Sequence, residues 1–241
     1  MRRGLLPTRE QARAEIEAGR VTVGGAPAAR PSRLVAPGDP IVLAGASPRY
    51  VSRGGHKLEA ALDGFAVTVT GVRALDVGAS TGGFTDCLLQ RGASSVVALD
   101  VGRGQLHERL RADPRVTVRE RCNVRDVTLQ QLEEPPFALI VADLSFISLA
   151  TVAPAVASLA DTGADLVVLI KPQFEAGRAV VSKGRGVVRD DGERWRAIER
   201  VRGAFESIGA VMIGLMASPL PGADGNVEFL AHLRAPARGT A

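Results

Sequence analysis

The stretch Leu75-Asp76-Val77-Gly78-Ala79-Ser80-Thr81-Gly82-Gly83-Phe84 decides the fold of this 241-residue chain. An apolar strand enters a glycine-rich turn, and one helix length later a second apolar run, Val96-Val97-Ala98-Leu99, ends on Asp100. A strand, a glycine-rich turn, a helix and a strand that ends on a carboxylate form the first unit of a doubly wound sheet. The sequence therefore predicts an open α/β fold with a ligand-binding loop at Gly78.

The glycine spacing indicates which ligand this loop binds. Glycines stand at 78, 82 and 83 and not at 80, whereas a dinucleotide site has a tighter spacing that seats a pyrophosphate. A ligand with an amino-acid end and a ribose, but no phosphate, suits the looser loop, and S-adenosylmethionine (SAM) has this shape. We expect Asp100 to bind the ribose hydroxyls, while the alternative is a connection that binds nothing. The loop residues expected to bind the cofactor are Asp76, Gly78, Ala79, Ser80, Thr81, Gly82, Gly83 and Phe84.

Composition limits the class of protein and its compartment. A hydrophobic content of 46% supports a substantial core, and no apolar run approaches the roughly 18 residues that a membrane span needs. The first residues lack the apolar stretch of a signal peptide. Cys87 and Cys122 are too few for a disulfide framework, so we expect a reducing cytoplasm. The net charge of +4 is compatible with a polyanionic partner.

Lysine is rare in this chain, because arginine carries almost all of the positive charge. Lys57, Lys171 and Lys183 are the only lysines. A lysine can lose its proton when burial or a cationic neighbour lowers its pKa, whereas arginine effectively cannot. Positions that remain lysine are therefore candidates for proton chemistry, although Lys183 is compatible with chance survival.

Residues 1–45 differ in pattern from the rest and are expected to form a separate small domain. Thr8 as N-cap, Gln11 at the N3 position and Gly19 as stop predict a short helix. Short strands follow around Val21–Val23 and Ile41–Leu43. Arginines line the helix, so we predict an RNA-binding module, the alternative being an embellishment with a solvated charged face. A linker at 46–55 and a second domain at 56–241 complete the expected organisation.

From residue 56 onward, apolar strands and helices alternate, which predicts a mostly parallel sheet covered on both faces. The helix nearest the end of the chain is expected around 190–208. Only a short Pro/Gly-rich segment joins the last two strands, so they should form a hairpin in which one strand is antiparallel to the sheet. Strands are predicted at 73–77, 95–99, 116–118, 137–142, 165–170, 211–216 and 227–233.

Polar residues follow several of these strands at the edge where ligands of an open α/β sheet bind. Asp143 and Lys171 each come directly after an apolar strand, and Lys57 opens the helix before the first strand. If the final strand is the antiparallel one, Glu228 stands at the same edge. The alternative readings are a strand-end cap for Asp143 and a surface charge for Glu228. We expect two lysines and two carboxylates to meet beside the cofactor.

This cluster suits the activation of a ribose 2′-hydroxyl, which is a poor nucleophile until a base takes its proton. A partly buried lysine with a second lysine nearby can act as that base, and the carboxylates orient both ammonium groups. Displacement at a sulfonium methyl needs no metal. We expect no metal site, because His56, His107 and His232 are scattered.

Several motifs resemble the TlyA (hemolysin A) family of ribosomal RNA ribose 2′-O-methyltransferases. They are the 75–84 loop, Ser52-Arg53-Gly54-Gly55-His56-Lys57-Leu58, Ala142-Asp143-Leu144-Ser145-Phe146-Ile147-Ser148, Lys171-Pro172-Gln173-Phe174-Glu175, Gly186-Val187-Val188-Arg189-Asp190 and Gly225-Asn226-Val227-Glu228. The resemblance implies an S4-like RNA-binding domain of α+β type and a Rossmann-like, FtsJ-like SAM-dependent methyltransferase domain. It also implies a catalytic tetrad at Lys57, Asp143, Lys171 and Glu228.

The expected partners follow from this resemblance. They are SAM and ribosomal RNA within ribosomal subunits, with a cytidine of 16S or 23S RNA as target and a monomeric enzyme. Asn123, Asp126 and Asp143 complete the expected cofactor-binding residues. The residues expected to bind RNA are Arg3, Arg9, Arg13, Arg20, Arg53, Lys183 and Arg185.

Other functions stay open from the sequence. A methyltransferase for a small metabolite would not need the arginine-lined module, and a non-catalytic RNA-binding or ribosome-assembly protein would not need the tetrad. A pore-forming hemolysin lacks support because no segment has membrane length. Members of the family that the motifs resemble usually have a further helix before Arg3-Gly4-Leu5. Either the start of the chain is misassigned or the small domain is shortened, and a missing helix is expected to expose part of that domain's core.

Overall fold

A computed structural model of the chain describes residues 4–6, 8–17, 19–28, 30–45, 49–176, 184, 186–222 and 225–236. The chain divides into two compact units, Met1–Ser52 and Arg53–Ala241. Within the described residues, no helix is long and apolar enough to cross a membrane.

The first unit combines one helix with a small antiparallel sheet. Helix α1 (Arg9–Glu17) precedes β1 (Val21–Val23), β2 (Ala26–Pro27) and β3 (Ile41–Leu43), and the strand order is β2-β1-β3. The hydroxyl of Thr8 accepts a hydrogen bond from the amide of Gln11 at 3.1 Å, so the predicted N-cap is present.

The core of the first unit is small. Val21, Val23 and Ala28 are buried, and partly buried side chains of α1 and β3 pack against them. A cavity of about 560 Å³ with largely apolar walls adjoins this core.

The second unit is built on a seven-stranded sheet of order β6-β5-β4-β7-β8-β10-β9. All neighbouring strands are parallel except that β10 is antiparallel to both β8 and β9. The strands and helices of this unit are α2 (Gly54–Gly64), β4 (Arg73–Val77), α3 (Gly83–Gln90), β5 (Ser95–Asp100), α4 (Glu108–Arg111), β6 (Val116–Glu120), α5 (Leu129–Leu132), β7 (Phe137–Ala142), α6 (Leu149–Ser158), β8 (Ala160–Ile170), α7 (Pro172–Glu175), α8 (Asp191–Glu206), β9 (Val211–Ala217) and β10 (Phe229–Arg234).

The sheet confirms the predicted fold class. Central strands β4, β7 and β8 are apolar and buried along most of their length, as expected for parallel strands covered on both faces. Helices α6 and α8 cover one face through buried residues such as Val152 and Phe205. Strand β10 is the predicted antiparallel strand, and its first residue, Phe229, pairs with Ile170. Glu228 therefore stands at the same edge as Lys171.

The expected linker at 46–55 overlaps a helix. Helix α2 begins at Gly54, and Tyr50 and Val51 are buried at 2% and 6% exposure. Gly55 is buried within the first turn of α2, where it packs without a side chain. Strand β8 also begins earlier than predicted, at Ala160, because its first residues pair with β7.

Candidate active site

Lys57 and Glu228 form a buried ion pair. The Nζ atom of Lys57, in the first turn of α2, donates a hydrogen bond to Oε2 of Glu228 at 2.5 Å. Glu228 is only 2% exposed, and a β-carbon at Gly222 would collide with its carboxylate. Two charges removed from water in this way are stable only while both partners are present. The alternative of Glu228 as a surface charge is inconsistent with this burial.

Lys171 and Asp143 form a second ion pair, between the ends of β8 and β7. The Nζ atom of Lys171 lies 2.7 Å from Oδ1 of Asp143, although the two atoms are not aligned as a hydrogen bond. It donates a hydrogen bond to Oγ of Ser145 at 2.8 Å instead. The amide of Asp143 donates to the carbonyl of Val77, which fixes Asp143 beside the glycine-rich loop.

The structure therefore brings the four predicted residues to one edge of the sheet as two ion pairs. The pairing of Phe229 with Ile170 brings Glu228, directly before β10, to the same edge as Lys171, directly after β8. No group of three or more His, Cys, Asp or Glu side chains that could hold a metal occurs among the described residues.

Asp76 is a buried carboxylate with unused hydrogen-bonding capacity. Its Oδ2 accepts a hydrogen bond from the hydroxyl of Thr85 at 2.6 Å, while Oδ1 is buried without a partner. Burial raises the pKa of Asp76 to about 7, and the nearby charges of Asp143 and Asp100 contribute in the same direction. A buried oxygen without a partner is costly in a native structure, and it suits a cationic ligand.

At two positions of the loop, the backbone conformation and the close packing of neighbouring atoms require glycine. Gly78 has φ of 86°, and a β-carbon there would lie 2.6 Å from the carbonyl oxygen of Asp143. Gly82 has φ of 97° at the start of α3, and a β-carbon would collide with Leu110. Both positions are in the left-handed region that favours glycine. A larger residue at Gly78 would therefore displace the Asp143 segment as well as any ligand.

Asp100 holds the other end of the predicted cofactor site. Its carboxylate accepts hydrogen bonds from the amides of Ser80 at 2.8 Å and Gly102 at 2.6 Å. A small cavity of about 10 Å³ lies beside it, and the side chain of Gln105 packs against Gly102 and contacts Oγ of Ser80 at 3.2 Å. The residues that line this cavity are Ala79, Ser80, Ala98, Asp100, Gly102, Gln105, Leu106, Val118 and Glu120.

Five further residues expected to bind the cofactor do not line this cavity. Thr81 accepts a hydrogen bond from the amide of His107 through its carbonyl, and Gly83 and Phe84 are buried in α3. Asn123 accepts a hydrogen bond from the amide of Arg125, and Asp126 is exposed. Neither Asn123 nor Asp126 lines the cavity.

The arginines expected to bind RNA differ in their exposure and in whether a carboxylate pairs with them. Arg9 is exposed on α1, whereas Arg13 pairs with Glu17 at 2.7 Å on the same helix. Arg20 donates two hydrogen bonds to the buried Glu15, which lowers the pKa of that carboxyl. Arg53 is exposed directly before α2. Arg3, Lys183 and Arg185 lie outside the described residues.

Sequence reasoning did not single out the side chains of Ser145 and Phe146 within their motif. Phe146 is 91% exposed and has φ of 65°, and its ring centroid lies 5.3 Å from that of Phe174. A left-handed aromatic residue is strained and costs roughly 1–3 kcal/mol, which proteins retain mainly at functional sites. Its exposed ring offers a stacking surface for a nucleic-acid base. The sequence could not predict the exposed, left-handed Phe146, because its backbone conformation depends on tertiary contacts.

Known proteins share both the sequence and the fold of this chain. The FtsJ-like methyltransferase family matches residues 50–235, and the S4 domain family matches residues 2–41. The 16S/23S rRNA (cytidine-2′-O)-methyltransferase TlyA of Mycobacterium tuberculosis is 50% identical over 97% of this chain and 87% of its own length.

Two further relatives carry the name hemolysin. Hemolysin A of Brachyspira hyodysenteriae is 41% identical over 95% of each chain. A solved structure from Streptococcus thermophilus, provisionally named a hemolysin, has a TM-score of 0.81 and 42% identity, and the match covers 98% of this chain and 86% of that one. These matches extend over both units. The chain belongs to the TlyA family of FtsJ-like methyltransferases, and an S4 domain precedes its methyltransferase domain.

Proposed function

We propose that this protein transfers a methyl group from SAM to a ribose 2′-hydroxyl of ribosomal RNA. The observation that carries the proposal is the arrangement of two lysine–carboxylate ion pairs beside the glycine-rich loop, at the edge of a methyltransferase sheet. Half of the aligned residues are identical to those of a relative named as an rRNA (cytidine-2′-O)-methyltransferase, which supports the same substrate class.

The residues present fit SAM. The unpartnered Oδ1 of Asp76 matches a cationic amino-acid end, and the carboxylate of Asp100, fixed by two backbone amides, matches the two hydroxyls of a ribose. When bound, SAM supplies a methyl group on a positively charged sulfur. The loop residues Gly78 to Ser80 would hold it without a phosphate contact.

The roles of the tetrad follow from its geometry. Lys171 in its neutral amine form takes the proton of the 2′-hydroxyl, and Asp143 with Ser145 orients the ammonium group that results. Lys57 adds a positive charge that stabilises the developing alkoxide, and the buried Glu228 fixes that charge in place. The S4 domain provides RNA affinity and takes no part in the chemistry.

We expect Asp100→Ala to weaken SAM binding by about 10- to 100-fold, because the loss of charge-assisted hydrogen bonds costs roughly 1.5–3 kcal/mol. Calorimetric titration with SAM measures this directly. Asp161→Ala, at an exposed position near the start of β8 and so at the end of that strand away from Lys171, is the matched control and should bind like the parent. Equal affinity of a folded Asp100→Ala variant and the parent would remove Asp100 from the site.

We expect Arg9→Gln to weaken RNA binding. The slope of the logarithm of the binding constant against the logarithm of salt concentration should become shallower by about 0.7–0.9, the contribution of one neutralised phosphate. Arg13→Gln, on the same helix, is measured in parallel and shows whether a guanidinium paired with Glu17 contributes as much. Arg20 is a poor choice, because its partner Glu15 is buried. Binding measured at several salt concentrations, with equal slopes for both variants and the parent, would mean that α1 does not face RNA.

Mapping of ribose methylation in ribosomal RNA tests the proposed function in cells. RNA from cells with the gene should carry a 2′-O-methyl group at a position where RNA from cells without it does not, and reintroduction of the gene should restore that group. Identical methylation maps would exclude the proposed substrate.

A further inference from the structure

We propose that Glu175 is a positioning residue that holds the Lys171 side chain in place for the methyl transfer proposed above. Glu175 is the last residue of α7, the one-turn helix that begins directly after Lys171. It is only 2% exposed and belongs to neither of the two ion pairs. Its carboxylate instead accepts hydrogen bonds at the start of α6.

Two segments face each other at this edge of the sheet: residues 143–148, which follow β7, and residues 171–175, which follow β8. They touch at three successive places. Lys171 contacts Asp143 and Ser145, the ring of Phe174 lies against that of Phe146, and Glu175 binds the start of α6. The last of these contacts is the buried one.

The Glu175 contact consists of two short hydrogen bonds. Oε2 accepts from the hydroxyl of Ser148 at 2.5 Å, and Oε1 accepts from the amide of Leu149 at 2.6 Å. The carboxylate thus satisfies the first turn of α6, where a negative charge is favoured by the helix dipole. The side chain of Arg200 donates to the Glu175 carbonyl at 2.7 Å, which ties α7 to α8.

Burial of this carboxylate is costly, as the raised pKa of Glu175 shows, with loss of solvation as the largest cause. The two hydrogen bonds from Ser148 and Leu149 offset part of this cost. The contact fixes the two segments relative to each other, and catalytic side chains have to be held within about 0.5 Å of productive geometry. A loosened contact would let Lys171 drift from Asp143 and Ser145 without emptying the SAM site.

Two substitutions weaken the same contact from opposite sides. Glu175→Gln keeps the size and one acceptor for Leu149, but it replaces the short charged hydrogen bond from Ser148 by a weaker neutral one in which the amide donates; Ser148→Ala removes the hydroxyl and keeps the carboxylate. We expect each to lower kcat by about 10-fold or more, since a displacement near 1 Å can cost about 10²-fold, with SAM affinity and the KM for RNA unchanged. The double variant should be no slower than the slower single variant, because both act on one contact.

Asp165→Asn is the matched control for a general loss of rigidity. Asp165 lies in the middle of β8, away from the Lys171 end, and pairs with His232 and Arg234 at 2.6 and 3.0 Å. Its loss should lower the melting temperature and leave kcat unchanged. If Asp165→Asn lowers kcat as much as Glu175→Gln does, the effect is one of general softening and the positioning role is wrong.

A second readout does not depend on activity. The chain has three lysines, so the side-chain carbon next to each ammonium gives three NMR signals that single Lys→Arg variants assign. Glu175→Gln should move the Lys171 signal and leave that of Lys57 in place. If the parent protein methylates no RNA but the Lys171 signal still moves, the proposed function fails and the positioning role stands. An unmoved Lys171 signal with kcat within twofold of the parent would overturn the role of Glu175.

Discussion

Replacement of Lys171 by arginine is expected to lower the turnover of methyl transfer by about 10²–10⁴-fold, the usual contribution of general-base catalysis. Arginine keeps the positive charge and much of the reach, but it cannot give up a proton at neutral pH. The Nζ atom of Lys171 is held by Asp143 and Ser145, so the guanidinium still finds partners and the fold should persist. Single-turnover kinetics with saturating SAM measure the effect on chemistry.

Binding measurements, read together with turnover, distinguish a role of Lys171 as general base from a role in electrostatic positioning. SAM affinity of Lys171→Arg should match that of the parent, and RNA affinity should fall little because the charge is kept. Lys57→Arg, whose partner Glu228 is buried, shows in parallel whether the other lysine also loses a proton. Turnover near that of the parent for Lys171→Arg would contradict the base role and leave electrostatic positioning as the better account.

The second large effect is expected at Asp76, where function and stability should change in opposite directions. The pKa of this buried carboxyl is about 7, against an ordinary value of 3.8. Between these two pH values the unfolded chain loses the proton while the folded protein keeps it, so stability falls as pH rises toward 7. Above pH 7 the folded protein carries the full free-energy cost of an ionised, buried carboxylate, on the order of 4 kcal/mol of stability.

Asp76→Asn removes this cost and keeps the acceptor for Thr85. At pH 8 the variant should unfold at a higher denaturant concentration than the parent, and the difference should vanish near pH 4. SAM affinity should fall by 10-fold or more, on the order of 1.5–3 kcal/mol, because the neutral amide cannot pair with a cation. In the parent, SAM binding should strengthen as pH rises through 7. A variant that binds SAM like the parent at pH 8 would show that Asp76 is only structural.

Much of the fold could be predicted because buried parallel strands are nearly continuous apolar runs. Each of the seven predicted strands exists, and the short connection before β10 indicated its antiparallel direction. From that direction alone Glu228 could be placed at the edge that holds Asp143 and Lys171. The chemical roles of these residues stay predictions until the variants are measured.

Other features depend on tertiary contacts and could not be predicted. The sequence did not show which lysine pairs with which carboxylate, because this depends on how α2 packs against the end of β10. It did not show that the carbonyl of Asp143 leaves no room for a β-carbon at Gly78. It also did not show that Arg20 forms an ion pair with the buried Glu15. Nor did it show that the helix carrying Lys57 begins at Gly54, within the stretch expected to be a linker.

The most direct test of the central claim is methyl transfer in vitro to ribosomal RNA that lacks the modification. Purified protein, radiolabelled SAM and unmodified ribosomal subunits should yield labelled RNA, and nuclease digestion should release the label as a 2′-O-methylated nucleoside. The Lys171→Arg variant, which binds SAM, should give label at a rate lower by about 10²–10⁴-fold. Label on a base, or no label above that of the Lys171→Arg variant, would contradict the account.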